Sequence, residues 1–237
     1  MGSDLRVLLI TAASIGFFHT LFGPDHYLPF VMMSWARKWS AGKTALITFL
    51  CGIGHVASSV VLGLIGVSIG LALKKLELIE SVRGDIAAWL LIGFGLAYTA
   101  WALRRLYRGK AHAHIHAHQD AGDHAHVHTH FDEHAHVHDA GATVSIAPWT
   151  LFVIFVFGPC EPLIPLLMYP AAEIGYWGVA LVALVFSIFT IGTMLATVLI
   201  AGYGVSFLPL ARVQRYTHLL AGASITLCGL AIVFLGL

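Results

Sequence analysis

The chain has 237 residues, of which 58% are apolar and 11% are charged, and its formal net charge is +1. A soluble domain carries about 25% charged residues, so this composition excludes a soluble enzyme, a nucleic-acid-binding protein and a disordered chain. Apolar stretches of the ~20 residues needed to cross a bilayer recur along the sequence. We therefore expect an integral membrane protein that is not an enzyme and has no nucleic-acid partner.

The apolar pattern predicts an all-α integral membrane fold with six transmembrane helices. In chain order, the predicted helices cover residues 5–33, 43–73, 86–107, 147–169, 176–208 and 216–237. The six tryptophans lie near their proposed ends, where indole rings favour the membrane–water interface. The chain therefore divides into a first three-helix repeat (1–107), a loop (108–146) and a second three-helix repeat (147–237).

The basic residues predict an orientation. Nine Lys and Arg residues fall in the connections after the first, third and fifth predicted helices or at the helix ends beside them, and four fall on the opposite side. Because positively charged loops stay in the cytoplasm, we expect the long loop to face the cytoplasm of a cell with both termini outside. The expected location is the cell (inner) membrane.

The first and fourth predicted helices each contain a break with the same pattern. Residues 22–26 read Phe-Gly-Pro-Asp-His and residues 157–161 read Phe-Gly-Pro-Cys-Glu, 135 residues apart. Proline removes a backbone donor and interrupts a helix. Three helices per repeat invert the second repeat in the membrane, and interrupted helices at matching places of inverted repeats form the binding sites of many transporters. The side chains expected to turn toward one shared site are Asp25, His26, Cys160 and Glu161.

Two further histidines belong to this expected site. His19 precedes His26 by seven residues, or ~10.5 Å on a straight helix, so it is either a separate, earlier station or reaches the site through the break. His55 lies in the middle of the second helix, four residues after Cys51, which we interpret as a packing residue. Helix kinking explains the prolines but not this convergence of carboxylate, imidazole and thiol groups. Mixed nitrogen, oxygen and sulfur ligands favour transition metals of borderline softness.

Eleven of the fifteen histidines lie in the loop between the two repeats. They are His112, His114, His116, His118, His124, His126, His128, His130, His134, His136 and His138. They alternate with small residues and are interspersed with acidic ones, a composition that cannot form a packed core. Since neutral imidazole is the commonest protein ligand of divalent transition metals, we expect metal binding here, in a capturing, buffering or sensing role.

The residues in the first two predicted helices resemble a known family. His19, Asp25 and His26, followed by Gly-His-Val-Ala-Ser-Ser at 54–59, are similar to the nickel/cobalt transporters of the NicO/NiCoT type and their urease-accessory-like relatives. This family is part of a wider superfamily with LysE and DsbD/CcdA-type proteins. The resemblance implies divalent metal transport with those side chains as ligands. The chain departs from the family's nickel importers by one additional residue between His19 and Asp25 and by fewer spans.

The resulting hypothesis is a secondary, proton-coupled transporter of a divalent transition metal, with nickel or cobalt first and zinc next. No nucleotide-binding motif of the G-x-x-x-x-G-K-[ST] type occurs. One alternative is a thiol–disulfide electron carrier of the DsbD/CcdA type, which needs a cysteine in each repeat. In this chain the position of the first repeat that corresponds to Cys160 is Asp25. The other is an exporter of sulfite or an organic anion, for which Lys or Arg in the interior of a predicted span, away from its ends, is missing. The sequence leaves open the metal, the direction of transport and a homo-oligomeric state.

Overall fold

The computed structural model describes residues 2–108, 112–116, 124–128, 146–206 and 214–236. The described chain is almost entirely helical. Its helices are α1 (Ser3–Phe22), α2 (Leu28–Ala36), α3 (Ala41–Ser68), α4 (Leu73–Arg108), α5 (Ile146–Phe157), α6 (Leu163–Glu173), α7 (Tyr176–Ser206) and α8 (Thr217–Leu235), with 3₁₀ turns at Pro24–His26 and Gln214–Tyr216. Two short strands, β1 (His112–His116) and β2 (His124–His128), pair antiparallel within the loop.

Five described helices are long and apolar enough to cross a membrane. They cover Ser3–Phe22, Ala41–Ser68, Leu73–Tyr107, Tyr176–Val205 and Gln214–Leu235. The fourth predicted span is instead formed by two short helices, α5 with 12 residues and α6 with 11. The expectation of a helical protein suited to a membrane is therefore confirmed, while the six-helix inverted repeat stays a prediction.

The predicted start of the third span, at residue 86, is wrong. α4 begins at Leu73 rather than at residue 86, and it runs unbroken for 36 residues. The charged residues in its first turns look like a loop in the sequence, but Glu80 is fully buried and pairs with Arg83. A basic residue therefore does lie inside a helix of membrane-spanning length, contrary to the sequence-based expectation.

α4 and α8 form the closest helix pair, and small residues allow their approach. Gly95 faces Thr226, and Gly222 faces Thr99. A Cβ atom built on Gly95 would lie 2.5 Å from the backbone nitrogen of Thr226. Small residues at such contacts are how helices pack tightly in membranes, where the hydrophobic effect does not drive them together.

We expect Gly95→Ala to destabilise the protein by separating α4 from α8. Overpacking of this kind costs about 1–3 kcal/mol, which lowers the melting temperature of the detergent-solubilised chain by several degrees. Gly93→Ala is the matched control, because Gly93 is exposed on the same helix and a Cβ added there would have no described atom within 4 Å. Equal melting temperatures for the two variants would contradict the assignment of Gly95 to a tight contact.

Two buried apolar clusters lie on either side of the helix breaks. The first joins α2, α3, α4, α5, α7 and α8 around Phe30, Phe155 and Met194. The second joins α1, α3, α6 and α7 around Leu163 and Phe186. α3 contributes to both clusters, so its middle, which carries His55, lies between them.

Candidate metal centre

The first helix break lies where the sequence predicts it and folds His26 back toward α1. α1 ends at Phe22, Gly23 is extended (φ −87°, ψ 95°), and a 3₁₀ turn follows over Pro24–His26. The Gly23 amide donates to the carbonyl of His19 at 3.0 Å. The rings of His19 and His26 consequently approach to 4.7 Å between centroids. Of the two interpretations offered for His19, the structure agrees with the one in which it reaches the site through the break.

The second break also lies at its predicted place, between α5 and α6, and it packs against α3. Its Gly158 leaves space for the imidazole of His55, since a Cβ there would lie 3.0 Å from His55 Nδ1. The His55 ring lies 5.1 Å from the ring of His26 between centroids. Two interrupted helices and one continuous helix thus bring three histidines together.

The three histidines form a cluster with the geometry of a candidate metal site. One nitrogen from each of His19, His26 and His55 lies within 4.8 Å of the other two. Nitrogen ligands of a tetrahedral zinc-like ion at ~2.1 Å are separated by roughly 3.4 Å. Ion binding therefore has to draw the three rings slightly closer together.

The cluster is unusual because its polar atoms are buried without partners. Nε2 of His19, Nε2 of His26 and both ring nitrogens of His55 have no hydrogen-bond partner among the described residues. His26 and His55 are each 3% exposed. A buried polar atom without a partner is destabilising by about 1–3 kcal/mol, so four such atoms in one place indicate a group that accepts a ligand.

Asp25 orients one of these histidines. Its Oδ1 lies 3.2 Å from His26 Nδ1. A carboxylate paired with one imidazole nitrogen fixes the ring and leaves the other nitrogen free for a metal. Here the other nitrogen, Nε2, is buried and has no hydrogen-bond partner among the described residues.

A cavity of about 650 Å³ opens onto the cluster. All three histidines line it, together with three carboxylates, Asp25 and the exposed Asp85 and Glu161. Among the described residues, no Lys or Arg lines this cavity. Carboxylates in a concave, low-dielectric surface concentrate cations and repel anions.

The other predicted site residues are placed differently. Cys160 is fully buried, packs in the second apolar cluster and does not join the histidines. Cys51 is buried in the first cluster, as expected of a packing residue. His218, in the first turn of α8, pairs through Nδ1 with the Tyr98 hydroxyl at 2.8 Å.

The loop histidines are described only within the two strands. Their register pairs His112 with His128, His114 with His126 and His116 with His124. Because alternate residues of a strand lie on the same face, these six positions share one face of the hairpin. The other five predicted ligands, His118, His130, His134, His136 and His138, lie outside the described residues, and metal binding by the loop stays a prediction.

Two features of the site are missed by sequence reasoning. Asp85 on the cavity wall, and the buried pair of Glu80 and Arg83 beside the second break, all lie in the part of α4 that the sequence pattern assigns to a loop. The sequence does contain a signal for a helix here. Ser81 and Asp85, which both line the cavity, are four residues apart and therefore share one helix face.

No family model, curated protein or solved structure matches this chain. The fold and the site together define a helical protein compatible with a membrane, with a buried three-histidine cluster that could bind a metal ion. Membership of the nickel/cobalt transporter family stays a proposal based on the residues named above.

Proposed function

We propose that the protein is a secondary transporter of a divalent transition metal in the cell's inner membrane, with nickel or cobalt as the first candidate and zinc as the next. The observation that carries this proposal is the set of buried imidazole nitrogens of His19, His26 and His55, which line a common cavity and find no hydrogen-bond partner among the described residues. A metal ion supplies the partner that all of these atoms lack.

The ligand chemistry supports this class of metal. Imidazole suits nickel, cobalt and zinc, whereas magnesium and calcium prefer oxygen ligands. Imidazole binds a metal only in its neutral form, so any of the three rings that carries a second proton must release it when the ion binds. Metal movement in exchange for protons is consistent with this chemistry.

The charge of the cavity favours a cation over the sulfite or organic anion of one alternative. Three carboxylates line the cavity. Arg83 lies within α4, but it pairs with Glu80 and does not line the cavity. The basic residue that an anion pathway needs is therefore committed elsewhere.

The arrangement of the two breaks supports alternating access. The first break carries His26 and Asp25, and the second contacts His55 through Gly158. If the two halves form the inverted repeats that the sequence suggests, rocking of one half against the other would expose the histidines to each side in turn.

A flux experiment tests the proposal. The purified full chain is reconstituted into lipid vesicles that contain a metal-sensitive dye, and Ni²⁺, Co²⁺ or Zn²⁺ is added outside. We expect saturable uptake of at least one of them above protein-free vesicles, and none of Mg²⁺. Absence of flux for all three transition metals in both directions would refute metal transport.

Cys160→Ser separates metal transport from the thiol–disulfide alternative. Because Cys160 lies outside the histidine cluster, a metal transporter carrying this substitution should keep at least half of its flux. An electron carrier would lose all activity, since its reaction requires the thiol. A chain that moves no Co²⁺ but carries out thiol–disulfide exchange, and loses that exchange in a correctly folded Cys160→Ser variant, would favour the alternative.

A further inference from the structure

A buried ion pair near the start of α4 is not used by the proposed metal site. Glu80 is fully buried, and its Oε1 lies 2.5 Å from Nη1 of Arg83, whose side chain is 16% exposed. Burying two charges is unfavourable unless their remaining hydrogen-bonding atoms also find partners. The identity of those partners indicates what the pair does.

Some of the partners belong to the second helix break. Glu80 Oε2 accepts a hydrogen bond from the Cys160 amide at 3.3 Å. Arg83 Nη2 donates to the carbonyl of Val156 at 3.0 Å. Val156 lies in the last turn of α5, where carbonyl groups lack partners within the helix. The ion pair therefore satisfies backbone groups on both sides of the interruption.

The remaining partners lie on α3, in the turn that follows His55. Ser59 Oγ donates to Glu80 Oε2 at 3.3 Å, and Arg83 Nη2 donates to Ser58 Oγ at 2.7 Å. Ser58 Oγ in turn donates to the carbonyl of His55 at 2.8 Å. A continuous chain of hydrogen bonds thus links Arg83 to the backbone of His55.

Close packing leaves little freedom around these bonds. A Cβ on Gly84, next to Arg83, would lie 2.8 Å from Pro159 in the break. A Cβ on Gly158, on the other side of Pro159, would lie 3.0 Å from His55 Nδ1. The break is therefore held between α4 on one side and the imidazole of His55 on the other.

We propose that Glu80 and Arg83 form a clamp that fixes the 158–162 break against α3 and α4, and that they are positioning residues for His55. The clamp holds His55 through its backbone, by way of Ser58, and through its ring, by way of Gly158. The positioning role rests on the proposed metal transport, whereas the clamp itself does not.

The clamp is tested by the reactivity of Cys160, measured without metal. The full chain carries Cys51→Ala and Cys228→Ala, so that the fully buried Cys160 is its only thiol. Glu80→Gln removes the charged acceptor with little change of shape. Because local opening then exposes the break more often, we expect maleimide to react with Cys160 at least about tenfold faster.

Three further variants make this test specific. Glu77→Gln, an exposed position on the same helix, should leave the labelling rate unchanged. Ser58→Ala keeps the ion pair and the Ser59 hydrogen bond and removes only the link from Arg83 through Ser58 to His55. It decides the question if Glu80→Gln does not fold, and we expect a smaller acceleration of labelling. Arg83→Lys keeps the charge but cannot reach Glu80, Ser58 and Val156 together, so its rate should lie between those of the unsubstituted chain and Glu80→Gln.

The positioning role is read from Co²⁺ flux in vesicles. A misplaced His55 should raise the KM for Co²⁺ several-fold in Glu80→Gln or Ser58→Ala, while kcat changes less. The KM of Arg83→Lys should lie between those of the unsubstituted chain and Glu80→Gln. Unchanged Cys160 labelling in both Glu80→Gln and Ser58→Ala would overturn the clamp. Faster labelling with an unchanged KM would overturn the positioning role. Absent flux in the unsubstituted protein overturns the proposed function and the positioning role together, while labelling still decides the clamp.

Discussion

Replacing His55 by alanine should lower the affinity for Co²⁺ by about 100-fold or more, because a direct ligand matters more than an orienting residue, whose loss already costs 10–100-fold. The folded bundle should survive the change. Among the described residues, neither ring nitrogen of His55 has a hydrogen-bond partner, so their removal breaks no hydrogen bond there and relieves an unfavourable burial. This gain offsets part of the cost of the small cavity that alanine leaves.

The measurement compares melting temperatures with and without Co²⁺, in a full chain whose eleven loop histidines are replaced by serine. At 100 times its dissociation constant a ligand stabilises the folded state by ~2.7 kcal/mol. Co²⁺ should therefore clearly raise the melting temperature of the chain with the unsubstituted site and hardly change that of His55→Ala. Thr48→Val is the matched control. Thr48 is buried on the same helix, its hydroxyl also has no hydrogen-bond partner in the described part of the chain, and it does not line the cavity.

The same loss should follow from His19→Ala and from His26→Ala. If one ion is shared by all three rings, removing any of them leaves only two imidazoles. A loss confined to a single variant would contradict a shared site and would make the other two histidines packing residues.

The helix breaks could be predicted from sequence because their cause is local. In both, Gly-Pro follows an apolar run, and proline removes the amide that would continue the helix. In the structure, one helix ends just before Gly23 and another just before Gly158. The ambiguity over His19 is equally local, since helical spacing alone cannot say how sharply the chain turns after the break.

The start of α4 could not be predicted in this way because its cause is tertiary. Its charged first turns look like a solvated loop until Glu80 and Arg83 find partners on α3 and in the second break. Cys160 illustrates the same limit. The matching patterns at 22–26 and 157–161 suggest matching roles, but the second break directs the Cys160 amide to Glu80 and leaves Glu161 exposed on the cavity.

Gly23→Ala should disrupt the site while leaving every proposed ligand in the sequence. A Cβ at this position would lie 2.6 Å from His26 Nδ1 and 2.9 Å from Asp25 Oδ1. Alanine tolerates the backbone angles of Gly23 (φ −87°, ψ 95°), so any effect comes from this contact and not from backbone strain. The methyl group must push the imidazole away from its carboxylate, and we expect the Co²⁺ affinity to fall at least tenfold, as when an orienting residue is lost.

Two other glycines make this prediction a graded one. A Cβ on Gly158 would lie 3.0 Å from His55 Nδ1, a tight contact that a small shift relieves, so Gly158→Ala should weaken binding less than Gly23→Ala. Gly192, exposed on α7, has no described atom within 4 Å of such a Cβ, so Gly192→Ala should bind Co²⁺ normally. The d–d absorption band of bound Co²⁺ should change in shape for Gly23→Ala, because the same ligands would then adopt a different geometry. Normal affinity and an unchanged band in that variant would show that the pairing of His26 with Asp25 does not determine how the metal is held.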